Sequence, residues 1–213
     1  WDLSPRGQAV RVICCELARI SAHLLGVGCY AMDVGAMTVF LYTFTQRETV
    51  YNICEQISGA RFTTSYTRIG GQTRDISEQT IKEILKFCDE VSEVIEEVDK
   101  LLTRNPIFIG RTRDVGYISR EDAIGYGLTG PNLRGSGVEF DMRKNHPYLG
   151  YEKYDFDIPI GKVGDSFDRY LVRMEEMKES VKILRQVCEK LPKGPVNITD
   201  PKGTLPDKEK VMM

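Results

Sequence analysis

The 213 residues include two histidines, six cysteines and no Cys-x-x-Cys pair. Structural zinc and a self-held iron–sulfur cluster need closely spaced soft ligands, so neither is expected of this chain alone. The cysteines (Cys14, Cys15, Cys29, Cys54, Cys88 and Cys188) are irregularly spaced, and several fall in apolar helical patterns. They read as reduced thiols that pack as small hydrophobes. Charge of one sign is also lacking, because 31 acidic residues face 29 basic ones. That balance leaves no global basic field for nucleic acid and no whole-chain pull towards acidic lipid. The first residues show no charged segment leading into an apolar run and a small-residue cleavage site, so no signal peptide is expected in them. Gly70-Gly71 is not followed by Lys-Ser/Thr, which excludes a Walker loop, and Leu128 to Gly137 lacks G-x-G-x-x-G. No internal repeat or low-complexity tract is visible.

What is present is helix. With 41% hydrophobic and 28% charged residues, the chain has the makings of an ordinary globular core. Val10, Ile13, Leu17, Ile20 and Leu24 recur at helical spacing, predicting a helix over 8–26 stopped by Gly26 and Gly28. A second helix is predicted over about 32–58, apolar nearly all round in its first half and ended by Gly59. The apolar run of 24–44 carries Asp33 among three glycines, so a buried helix pair fits better than a membrane span. A third helix, capped by Ser77, has an apolar stripe from Ile81 to Leu102 and an acidic opposite face. At 26 residues it would span roughly 39 Å, a length that suits a bundle. A fourth follows Gly164-Asp165, with a stripe from Phe167 to Leu191, and Pro192 closes it.

Residues 110–164 hold ten of the 19 glycines. Ser119 could start one short helix there, and Tyr154 to Ile160 reads as a strand. The remainder is an ordered loop of the kind that usually serves function or an interface. The arginines in and just before it, Arg104, Arg111, Arg113, Arg120, Arg134 and Arg143, alternate with acids and read as ion pairs in an interface. No catalytic set assembles by itself. His23 reads as a hydrogen-bonded core histidine and His146 as an exposed or structural one. Asp33 is the most pointed residue: a lone carboxylate in an apolar stretch is either a helix cap or a functional group. Residues alone therefore give a helical protein with an ordered loop surface, built for an assembly.

An ordered set of strings carries more. Arg11-Val-Ile-Cys-Cys-Glu16-Leu-Ala-Arg19-Ile-Ser-Ala-His23-Leu is followed by Met32-Asp33-Val-Gly35-Ala36-Met-Thr38-Val-Phe40 and Arg47-Glu48. Gly59-Ala-Arg61-Phe62, Tyr66-Thr-Arg68-Ile-Gly70-Gly71, Leu133-Arg134-Gly-Ser-Gly137 and Asp141-Met-Arg143-Lys come next. Pro147-Tyr148, Gly150-Tyr151 and Gly164-Asp165-Ser-Phe-Asp168-Arg169-Tyr complete it. Together, from about Pro5 to Pro195, these strings resemble the D subunit of NADH–quinone oxidoreductase, respiratory complex I.

The resemblance implies a mainly α fold, a long-helix bundle of the nickel–iron hydrogenase large-subunit type with a glycine-rich loop region and short β-strands. It implies a partial helical domain over 5–192, with 110–164 as a loop-rich insertion, and an extended tail over 193–213 leading to a missing C-terminal part. The implied function is to help form the quinone-reduction site of the peripheral arm and to couple electron transfer from NADH to ion translocation. Quinone would be the substrate, received next to an iron–sulfur cluster held by the neighbouring B subunit, with NADH and FMN elsewhere in the complex. No cofactor would be bound by this chain alone. The B and C subunits, and the membrane subunit at the quinone channel entrance, would be partners. The location would be peripheral, on the cytoplasmic side of a bacterial membrane or the matrix side of a mitochondrial one.

Asp33 matches the family carboxylate that pairs with a quinone-site His, so it is the catalytic candidate. That His, and a Tyr that also contacts the headgroup, are expected upstream of these residues, so the chain is expected to be an internal fragment, inactive by itself. Leu25 and Cys29 are expected to line the quinone chamber. Arg61 and Thr63 are expected near the neighbouring cluster without ligating it. Many members of the family have a His where Thr63 stands, so a cluster potential with weaker pH dependence than about 60 mV per unit is expected, checkable by redox titration. The alternative is a large-subunit fragment of a membrane-bound nickel–iron hydrogenase or a related non-catalytic scaffold.

Overall fold

The computed structural model describes residues 3–197. The predicted tail over 193–213 falls mostly outside them. Four long helices dominate: α1 (Pro5–Asp33), α2 (Met37–Ser58), α3 (Glu78–Leu102) and α8 (Ser166–Glu189). Each packs against two of the others, α1 on α2 and α8, and α3 on α2 and α8. The result is a closed ring of four helices around one core. Ile13, Leu17, Ile20, Val50, Ile53, Ile84, Val91, Met177 and Leu184 meet inside it. The mainly α, hydrogenase-large-subunit-like class expected from the sequence is the one observed.

The helix starts are those the capping residues dictate. Ser77 Oγ accepts from the Thr80 amide, Asp165 from Asp168 and Ser119 from Asp122, so orphan N–H groups at three helix ends are satisfied. Two boundaries differ from expectation. Gly26 and Gly28 do not stop α1, which runs on to Asp33. A β-carbon at Gly28 would overlap Thr43 Oγ1 on α2, so this glycine lets two helices approach closely. The true break is at Gly35, which has φ +94° and lies in the left-handed region glycine favours. Asp33 therefore ends the first helix and does not cap the second. In the α3 stripe, Leu101 is exposed, while Phe87 and Cys88 are fully buried.

The 103–165 segment is richer in helix than expected. It holds α4 (Pro106–Thr112), α5 (Arg120–Gly125), α6 (Gly130–Gly135), α7 (Met142–Asn145) and a 3-10 turn at Tyr151–Lys153. No strand forms over Tyr154 to Ile160: its backbone finds no neighbouring strand to pair with, and Asp155 and Asp157 amides donate instead to side chains of α8. The two short strands lie earlier, β1 (Thr67–Arg68) and β2 (Gly71–Gln72), antiparallel across Ile69-Gly70. The helix α1 is long and apolar enough to cross a membrane, yet it packs against two helices and buries Glu16 and His23.

Candidate functional site

The interior holds two very different arrangements of charge, on two sides of α1. On the α8 side a chain of buried side chains runs without a gap. Glu176 of α8 accepts from Arg134 at 2.6 Å through one oxygen and meets His23 Nε2 at 2.7 Å through the other. Arg134 also lies 3.6 Å from Asp141. Asp141 receives Arg143 at 2.8 Å, and Arg143 reaches Glu16 at 3.2 Å. Tyr151 donates its hydroxyl to the same Glu16 at 2.6 Å. Burial alone would raise the Glu176 and Asp141 carboxyl pKa values. The hydrogen bonds and charges of His23 and Arg134, and of Arg143, outweigh it and hold both below the usual range. Burial and the Glu16 charge push the Tyr151 phenol up, so it stays a donor.

This network corrects the reading of the loop arginines. Arg134 and Arg143 do form ion pairs, but inside the chain, with two partners on long helices. Arg104, Arg111, Arg113 and Arg120 are exposed. His23 is the hydrogen-bonded core histidine expected, and His146 is exposed. Glu16 and Glu176 were missed as structural acids. Each interrupts an apolar helical stripe, Ile13-Leu17-Ile20 and Met174-Met177-Val181, and that interruption was the available signal.

On the α2 side lies an open groove of about 410 Å³ between α1, α2 and the loop after Gly59. Leu17, Ala18, Ala22 and Leu25 line it from α1, Val50 and Ile57 from α2, and Phe62 from the loop. Arg47 projects into this apolar surface. It is 6% exposed, and its one side-chain hydrogen bond among the described residues is a long 3.4 Å contact to Ser21 Oγ. Its guanidinium lies over Phe44 at 4.9 Å and Tyr51 at 5.3 Å, a cation–π setting that leaves several N–H groups unspent. Burial raises the thiol pKa of Cys14 to about 12, with Cys54 nearby, so these walls carry no ready thiolate. The groove can accommodate a flat apolar group and offer a buried cationic donor to an acceptor oxygen.

The site residues expected from the sequence fall along this side. Leu25 and Arg61 line the groove. Arg61 is tied to Glu48 and, at 2.7 Å, to Asn52. Thr63 is exposed, between the lining residues Phe62 and Thr64. Cys29 and Asp33 follow Leu25 at four-residue steps along α1 and so continue its face beyond the groove. Asp33 is exposed, contrary to a carboxylate in apolar surroundings, and accepts no hydrogen bond among the described residues. Arg47 was not singled out, although it stands between Thr43 and Val50 in the buried stripe of α2. Among the described residues no three His, Cys, Asp or Glu side chains converge to hold a metal ion.

The chain is thus a four-helix bundle with one side locked by ion pairs and the other open as an apolar groove. The family described as respiratory-chain NADH dehydrogenase, 49 Kd subunit, matches residues 33–213, and the chain belongs to it. It is 58% identical over 212 residues to the D subunit of the NADH-quinone oxidoreductase of Akkermansia muciniphila, covering 100% of this chain and 51% of that relative. It is 57% identical to the D subunit of Methylacidiphilum infernorum, again over 100% of this chain and 51% of the relative. For the first of the D subunits of Opitutus terrae the figures are 56%, 98% and 49%. The chain thus spans about half the length of the curated relatives it matches. Membership of this family takes precedence over the hydrogenase alternative.

Proposed function

We propose that this chain forms one wall of the quinone-reduction site of complex I, as part of a D subunit about twice its length. The observation that carries this reading is the α1–α2 groove, which joins Leu25 and Arg61 on one apolar surface around a buried, unpaired Arg47. Quinone reduction takes up two electrons and two protons, and a flat apolar headgroup with carbonyl acceptors fits such a surface. Arg47 would offer its unspent N–H groups to a carbonyl oxygen, stabilising the charge that builds there as electrons arrive. The electrons would come from an iron–sulfur cluster on the B subunit near Arg61 and Thr63, which are not its ligands. Asp33, further along the same helix face, would act as a positioning residue. It would hold the imidazole of a quinone-site His supplied by the rest of the full-length protein. Its exposure in these residues fits a partner that lies outside them.

On this reading residues 5–192 are part of one helical domain, the 110–164 segment is an insertion in it, and the chain alone reduces no quinone. The B and C subunits and a membrane subunit would cover its exposed faces. The assembly would lie peripherally on the cytoplasmic side of a bacterial membrane, or on the matrix side in mitochondria, and couple the reaction to ion translocation. The test is Ala22→Trp in the full-length, assembled complex. Ala22 is exposed in the groove wall, so the indole would fill the groove without entering the core. NADH–quinone reductase activity should fall at least tenfold while NADH–ferricyanide reductase activity is kept. Undiminished quinone reduction would remove the groove from the site.

A further inference from the structure

A second pocket, of about 180 Å³, lies away from the groove, between α1, α6 and the first turns of α8. Arg169 and Arg173 line it with Tyr30, Asn132 and Ser166. Both guanidinium groups are fixed by neutral acceptors. Arg169 donates to Gly164 O at 3.0 Å, Gly116 O at 2.6 Å and Ser166 Oγ at 3.1 Å. Arg173 donates to Arg169 O at 2.8 Å and to Asn132 Oδ1 at 3.0 Å. Neither makes an ion pair among the described residues. The nearby acids are committed elsewhere: Asp165 accepts the amides of Asp168 and Asp114, and Glu176 is held by Arg134 and His23. Burial lowers the Arg173 pKa, opposed by the nearby Glu176 charge and reinforced by the smaller effect of Arg169.

We propose that this pocket binds a phosphate group. Two pre-positioned guanidiniums with unspent N–H groups supply charge-assisted donors. The hydroxyls of Tyr30 and Ser166 and the Asn132 amide add donors from three different elements. Donors converging from several directions match a tetrahedral oxyanion with three or four oxygens better than a planar carboxylate with two. The phosphate is either free or the headgroup of a phospholipid, since both present the same oxygens. The site is independent of the quinone reading, because it lies on another side of α1 and shares no residue with the groove.

Gly26 supplies the test. A β-carbon there would meet only the Arg173 side chain, at 3.8 and 3.9 Å, so larger residues fit. Gly26→Asp places a carboxylate beside Arg173 and fills the pocket with a built-in anion, whereas Gly26→Ala leaves it open. Binding of radiolabelled inorganic phosphate is measured by equilibrium dialysis on the purified, assembled complex. Wild type and Gly26→Ala should show one saturable site that Gly26→Asp lacks. Arg173→Gln should weaken that site about tenfold or more, and it decides the matter if Gly26→Asp fails to assemble. Displacement by a short-chain phosphatidate identifies a lipid headgroup as the occupant, and its failure to displace identifies free phosphate. Equal phosphate binding by wild type and both pocket variants would overturn the proposal, and so would displacement by acetate as readily as by unlabelled phosphate.

Discussion

The two sides of α1 bury charge in opposite ways. Towards α8, Glu16, Arg143, Asp141, Arg134, Glu176 and His23 each find a partner. Towards α2, Arg47 is nearly as buried and has no acid. A buried charge without an acid is costly even over aromatic faces, and a partner outside the described residues would relieve that cost. A completed network has no such demand and serves to fix geometry. The first side is therefore the lock that ties the 130–156 segment to the bundle, and the second is the face we propose to meet quinone. The difference lies in pairing and not in depth of burial.

The largest effect should come from breaking the lock. Arg143→Met removes the cation shared by Glu16 and Asp141, leaving Arg19 and Tyr151 on the one and Arg134 on the other, and the full-length protein should lose roughly 3–5 kcal/mol in urea denaturation. A loss under about 1 kcal/mol would show that the network is solvated and not structural. Next in size is Gly28→Ala, whose β-carbon overlaps Thr43 and forces α1 and α2 apart, at about 1–3 kcal/mol. It should also blunt quinone reduction by widening the groove, while Gly26→Ala, with room to spare, should do neither.

A smaller effect follows from pH. In the unfolded chain Glu176 and Asp141 titrate near about 4, and in the fold both lie lower. Their contribution is complete above the unfolded value and is lost as pH falls through the folded values, so stability should drop below about pH 4. Glu176→Gln should flatten that drop in denaturation curves taken across the acid range. Smallest is thiol access. Burial raises Cys88 and Cys188 to about 12, so maleimide labelling at neutral pH should reach the partly exposed Cys29 long before either of them.

These two sides also mark what was legible in the sequence. Periodicity and caps located α3 and α8 to within a residue or two, because Ser77 and Asp165 are strong start signals beside clear apolar stripes. Gly26 and Gly28 misled, because a glycine needed for helix contact looks the same in one dimension as a glycine that ends a helix. Asp33 and Cys29 follow Leu25 on one face of α1, and Leu25 and Arg61 share a groove. The partner of each buried charge could not be read, because Glu16 and Arg143 are 127 residues apart in the chain. Arg47 was hidden for the same reason: its defining property is the absence of a neighbour, which only three dimensions reveal.

On the proposed reading, the unpaired cation of the α1–α2 face acts on quinone and not on the fold. Arg47→Leu in the full-length, assembled complex tests it most directly, with quinone reductase activity, ferricyanide reductase activity and urea stability measured together. The expected result is stability within about 1 kcal/mol of wild type, since a leucine suits the apolar groove. Ferricyanide reduction should be unchanged, and quinone reduction should fall at least tenfold. Normal quinone reduction in a complex that assembles fully would show that Arg47 does not act on quinone.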